Sequence, residues 1–328
     1  MQHMRAASRL AGILAALFAA ATSLAQQEPG APQVGKQVRI VVASVGATGP
    51  DFIARLLAPK LSEAIKQSVV IDNRPSANGI AAAQYAARAP ADGSTLMMGN
   101  AGTHAINAAL YKKLDYDPVK DFAAITEVAS VPLALVVHPS VPARSVKELV
   151  ALARKSPGKL NIAIAGAAGE LTGNAFKLQT GITMTNIPYK GGAQAATAVI
   201  AGEADMVFTT YVVIGAHVES GRLRVLGVTS AKRMPQLANV PTIAEGGLPG
   251  YEHEQWYALF APARTPGPVI DLYNREAVRI VNSPEISERL LATGHRIVAG
   301  SPQALTDKVR REIEKTRRIM AESGMQQQ

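Results

Sequence analysis

Val38-Arg39-Ile40-Val41-Val42, then Ser44-Val45-Gly46-Ala47-Thr48-Gly49-Pro50, then Ile53, Leu57, Leu61 and Ile65 at four-residue intervals: residues 38–65 decide the fold. A short run of branched apolar residues reads as a buried strand, the glycines as a turn, and the four-residue period as one face of a helix. Pro59 inside that helix is expected to bend or interrupt it. The unit then repeats. Val69-Val70-Ile71 is a second strand, 80–88 an alanine-rich helix, and Thr95-Leu96-Met97-Met98 a third strand running into Gly99-Asn100-Ala101-Gly102-Thr103-His104. Such alternation is the pattern of a parallel sheet covered on both faces.

The apolar stretch Val131 to Val137 ends at His138-Pro139, and the alternation restarts beyond it. Ser145-Val146-Lys147-Glu148 has the form of a capping box for a helix through Lys155, which Ser156-Pro157-Gly158 stops. Strands are expected over 161–165, 183–187, 205–209 and 223–228, with a turn over 166–169 and helices over 171–179, 193–201 and 212–220. Two rounds of alternation imply two α/β domains. After a Pro- and Gly-rich stretch to Tyr251, a strand over 256–260 and helices over 269–281, 283–294 and from Ser301-Pro302 onward are expected to return to the first domain. The last helix presents Leu305, Val309, Ile313 and Met320 on one face.

The N-terminus has the order of a secretory signal peptide: Arg5 and Arg9, an apolar run from Leu10 to Ala21, and Ser23-Leu24-Ala25 as a small-x-small site. Cleavage after Ala25 would release a free periplasmic protein, since the run is too short to span a bilayer. A Pro- and Gln-rich tail, 26–37, would follow. Among 328 residues there is no cysteine, which excludes disulfides, thiol nucleophiles and cysteine-based zinc sites. The formal net charge is +9, and the C-terminal basic residues are interleaved with Asp307, Glu312, Glu314 and Glu322 as on a solvated helix face. With only 5% aromatic residues, neither nucleic acid stacking nor a sugar cleft of stacked rings is supported. Mild attraction of anions remains open.

Five turns share a position between an apolar strand and a helix: 46–51, 100–104, 166–172, 189–194 and 209–211. In open α/β sheets ligands bind beyond the carboxyl ends of the strands, where helix N-termini offer free N–H groups and partial positive charge to an anion. Conformational need alone also places glycine in such turns, so it is their number that points to a cleft. The sequence has no G-x-S-x-G elbow, phosphate loop or G-x-G-x-x-G fingerprint, and no histidine pair at metal-ligand spacing. His104 is read as a helix-start hydrogen-bonding residue before a general base, and Trp256 as core.

Several stretches resemble the Bug-type receptors of the tripartite tricarboxylate transporter family. They include Asp72-Asn73-Arg74-Pro75, Gly102-Thr103-His104-Ala105-Ile106-Asn107, Tyr116-Asp117-Pro118-Val119-Lys120-Asp121-Phe122, Pro188-Tyr189-Lys190-Gly191-Gly192 and Val228-Thr229-Ser230-Ala231-Lys232-Arg233. The resemblance implies a type II periplasmic binding protein: two α/β domains, 36–126 with 248–328 and 127–247, joined by two crossovers around a ligand cleft. It implies no enzyme, no cofactor and no metal. A monomer is expected to bind a small organic acid (a di- or tricarboxylate, an amino acid or an aromatic carboxylate) for a membrane permease; the alternatives are a sensor partner and, ranked after it, an enzyme acting on the acid. Carried over by motif, the contacts come from Gly46, Ala47, Thr48 and Asp51; from Asn100, Gly102, Thr103 and His104; from Ala165, Gly166, Ala167 and Gly169; and from Tyr189, Gly191, Gly192 and Thr209. Two departures stand out. The third loop lacks the usual serines and adds Glu170, and Phe208-Thr209-Thr210 is not followed by the family's frequent acidic residue.

Overall fold

β1 (Gln37–Val42) pairs in parallel with β2 (Ser68–Asn73) on one side and with β3 (Thr95–Asn100) on the other, placing Ile40 between Ile71 and Leu96. The computed structural model describes residues 37–45, 48–189 and 191–328. The expected leader, most of the tail after it, and the turn residues Gly46 and Ala47 lie outside the described residues. Helix α1 (Gly49–Ile65) buries Ile53, Leu57 and Leu61 against one face of this sheet. It runs uninterrupted through Pro59. That proline lies on the exposed side, where water can solvate the carbonyl it leaves unpaired. The other face takes α2 (Ile80–Ala87), whose alanines allow close approach, and the short α3 (Asn107–Leu110) follows β3.

The sheet is not purely parallel. β9 (Glu254–Pro262) inserts between β3 and β4 (Phe122–Val137), antiparallel to both. β4 is longer than its apolar half implies. Its first part, Phe122 to Pro132, pairs with β9, with register shifts after Ala124 and Glu127. Two of the buried polar residues there are satisfied: Thr126 donates to the Gly300 carbonyl at 2.8 Å, and Glu127 pairs with Lys308 at 2.5 Å. From Leu133 the same strand pairs with β7 (Met206–Thr210) and β8 (Arg224–Val228). One strand therefore belongs to both sheets, and its middle is a crossover between two lobes.

The second sheet continues from β7 through β5 (Asn161–Ala165) to β6 (Thr185–Tyr189), all parallel. Around it lie α4 (Val146–Lys155), α5 (Gly166–Thr180), α6 (Gly192–Ile200) and α7 (Tyr211–Glu219). α5 begins where a turn was expected. Gly166 has φ +69°, so a single left-handed residue carries the chain from strand to helix. Ser145 caps α4 by accepting the Glu148 N–H at 3.2 Å, while the Glu148 carboxylate takes the N–H of Arg144 instead of that of Ser145. The late elements pack on the first sheet. α8 (Gly267–Val281) packs on α1 and β4, followed by α9 (Pro284–Ala292) and the two-residue β10 (Arg296–Ile297). α10 (Pro302–Ser323) buries Leu305, Val309, Ile313 and Met320, together with Ile319.

Candidate functional site

β4 and β9 cross between the lobes with alternate side chains on opposite faces. Trp256 is in the core at 1% exposure. Its neighbours Gln255 and Tyr257, with Val131 and Leu133 of β4, line a cavity of about 560 Å³. A smaller one of about 240 Å³ shares Gln255 and Ala165 with it. Together they form a cleft floored by the crossover strands.

Four helices begin at the walls of the larger cavity. Thr48 and Gly49 bring the start of α1, Gly169 the first turn of α5, Gly191 to Gln194 the start of α6, and Thr210, Val212 and Val213 the start of α7. None of the four has a side-chain cap. α8 and α9 also lack one, so what sets the four apart is their convergence. First-turn N–H groups have no partner inside a helix, and the aligned peptide dipoles add positive potential. Among the described residues lining either cavity there is no Asp, Glu, Lys or Arg. An anion here meets backbone donors and neutral side chains, with an apolar strip of Val131, Leu133, Phe208 and Val213 between them.

The turn after β3 is tied into the protein. Asn100 and Thr103 exchange bonds: the Thr103 N–H donates to Asn100 Oδ1 at 3.0 Å, and Thr103 Oγ1 accepts the Asn100 N–H at 3.1 Å. A π-helical turn, Gly102–Ile106, follows and opens the ring of backbone here, as such turns do at functional sites. The Tyr116 hydroxyl donates to the Thr103 carbonyl at 2.6 Å and accepts from Asn107 at 3.1 Å. His104 lies behind this web. Its ring stacks on Phe260 with centroids 3.7 Å apart, its Nδ1 is 2.9 Å from the Thr103 hydroxyl, and burial lowers its pKa to about 3. The imidazole is therefore neutral and buried behind Thr103, off both cavities.

The structure brings Thr48, Ala165, Gly169, Gly191, Gly192 and Thr209 to the larger cavity, and Asn100, Gly102, Thr103, Ala165 and Ala167 to the smaller. Asp51, His104, Gly166 and Tyr189 line neither. Asp51 is buried, binding Arg55 Nε and Asn73 Nδ2, each at 2.8 Å, and so fixes the first turn of α1 from behind. Glu170 also lies off both walls. Sequence reading missed Val131, Leu133, Phe208, Gln255, Tyr257 and His295. The signal was present for the crossover residues: once Trp256 is assigned to the core, two-residue alternation turns Gln255 and Tyr257 to the opposite face.

This geometry has known counterparts. A protein from the tcbD–tcbE intergenic region of Pseudomonas sp. strain P51 is 33% identical over 316 residues, covering 95% of this chain and 93% of its own. The solved structure of R. palustris Rpa4515 with adipate is 36% identical with a TM-score of 0.81, covering 88% of this chain and 98% of that one. MatC from Rhodopseudomonas palustris with bound malate is 27% identical with a TM-score of 0.77, covering 86% and 98%. The model of the tripartite tricarboxylate transporter family receptor matches residues 53–325. With the match spanning both lobes and the crossovers between them, the chain belongs to that receptor family.

Proposed function

We propose that this protein is a periplasmic receptor that captures a small organic carboxylate between its lobes and hands it to a membrane transporter. The observation that carries this reading is the convergence of four uncapped helix starts on one cavity without an ionised side chain among its described lining residues. Partial charges at helix N-termini stabilise a carboxylate without a counter-ion that would have to be desolvated when the site is empty. Related proteins that hold adipate and malate support the ligand class. We take the lobes to be 36–126 with 248–328 and 127–247, closing about the crossovers so that the closed form is the species a permease recognises. Among the described residues no helix is long and apolar enough to cross a membrane, consistent with a receptor that works beside a separate transporter.

The test is a thermal-shift screen of the purified mature protein with mono-, di- and tricarboxylates, amino acids and aromatic acids. Mass spectrometry of the recovered ligand accompanies it. A midpoint raised by one group of acids, with the acid returned chemically unchanged, is the expected result. No shift with any acid, or a converted product, would overturn the reading.

A further inference from the structure

Four tyrosines among the described residues are at least nine-tenths buried: Tyr116, Tyr251, Tyr257 and Tyr273. Three of them spend the hydroxyl proton on a backbone carbonyl: Tyr116 on Thr103 at 2.6 Å, Tyr251 on Thr172 at 2.9 Å and Tyr273 on Gly93 at 2.7 Å. That is the usual condition of a buried phenol. Tyr257 is the exception. It is 7% exposed, lines the larger cavity, and has no hydrogen-bond partner for its hydroxyl among the described residues.

Its location is equally specific. A methyl group on Gly49, the first residue of α1, would stand 2.2 Å from the phenol oxygen. The hydroxyl is thus packed against the open start of a 17-residue helix. Burial raises the phenol pKa to about 12, so it remains a neutral donor across the physiological range. On the opposite wall, Thr209 has a hydroxyl likewise without a partner among the described residues, close against Gly192 at the start of α6: a methyl on that glycine would lie 2.6 Å from Oγ1. Between the two walls lies the strip of Val131, Leu133 and Phe208.

We propose that the Tyr257 hydroxyl is a ligand-binding and specificity-determining group, donating to an oxygen of the acid at the start of α1 while the other end of the same molecule is held at α6 and α7. The assignment rests on the carboxylate reading above and refines it. The preferred acid carries oxygen at both ends of an apolar body, because a one-ended acid would bury the phenol's donor without an acceptor.

The experiment is calorimetric titration of the wild-type protein and Tyr257→Phe with two matched pairs: adipate against hexanoate, and malate against 3-hydroxybutyrate. In the wild type, at least one two-ended acid should bind tighter than its one-ended partner by about 10-fold or more. Tyr257→Phe should weaken that acid by about 10- to 100-fold, the loss expected for a hydrogen bond to a charged acceptor. It should also narrow the difference within the pair and leave the ligand-free thermal midpoint where it was. Gly49→Ala, which displaces the phenol without removing it, should weaken the same acid. Equal affinity of Tyr257→Phe and wild type for the two-ended acid would overturn the assignment, as would wild-type binding that ignores the second end. Failure of the wild type to bind any of the four, or any acid in the wider screen, would overturn the carboxylate reading itself.

Discussion

The two walls of the cleft are built on different principles. On the wall formed by the first lobe, the turns are cross-braced by side chains: Asp51 with Arg55 and Asn73, Asn100 with Thr103, and Thr103 with His104 and Tyr116. On the wall formed by the second lobe, the turns at 165–169 and 191–193 consist of glycine and alanine. The first wall is a preset shape whose polar side chains are largely used up internally. The second presents backbone, with first-turn N–H groups that have no partner within their own helices. Residues of the same apparent type therefore do different work, and perturbing them should separate stability from binding.

The largest separation is expected at Gly191. Its backbone is extended, at φ −179°, and a methyl there meets nothing within 4 Å, so valine fits the chain but occupies the ligand's space. Gly191→Val should cost about 100-fold in affinity, or about 3 kcal/mol, with the ligand-free midpoint unchanged. A parallel fall in both would break the comparison. Acidification should strike the braced wall instead. Below pH 6.5 the unfolded chain protonates His104, whereas the folded chain, with its pKa lowered to about 3 by burial, does not. Stability therefore declines as pH falls through that window, by about 1.4 kcal/mol per pH unit from this group. Urea denaturation at pH 7, 5 and 4 measures the slope, and His104→Gln should reduce it.

Thr103→Ala sharpens the contrast on a smaller scale. The hydroxyl is bonded within the protein, so its loss should remove about 1 kcal/mol from the ligand-free fold and weaken binding as the turn relaxes. An unchanged midpoint would place Thr103 with the free donors. Smallest of all is Glu170→Gln, expected to move stability and the ranking of ligands by less than about 0.5 kcal/mol, because the side chain lies off both cavities. A changed ranking in the same screen would bring it into the site.

The fold was largely legible in the sequence because its signals are local. Periodicity at 38–65, the serine starts of α4 and α10, and two rounds of alternation each depend on neighbours a few residues away. The antiparallel insertion of β9 was not legible, since nothing in residues 254–262 states which strands will flank them. The site divided in the same way. Glycine-bearing turns announce helix starts, and Thr48, Gly191 and Gly192 do border the cavity. Asp51 and His104 looked equally suited by residue type, yet their partners at Asn73 and Phe260 come from other strands and draw them behind the wall. Tyr257 and Leu133 were missed for the converse reason: they read as strand core, and only the meeting of two lobes makes one face of that core a binding surface.

The chain contains a single tryptophan, and it is Trp256, on β9 between the cleft-facing Gln255 and Tyr257. Its indole is buried on the opposite face, with the Lys308 ammonium 5.6 Å from the ring centre. A fluorophore next to a fixed charge, on a strand that crosses between the lobes, is a label already in place. The residues on either side of it line the cavity, so a bound acid should perturb the indole's surroundings and emission should follow occupancy in an otherwise unmodified protein.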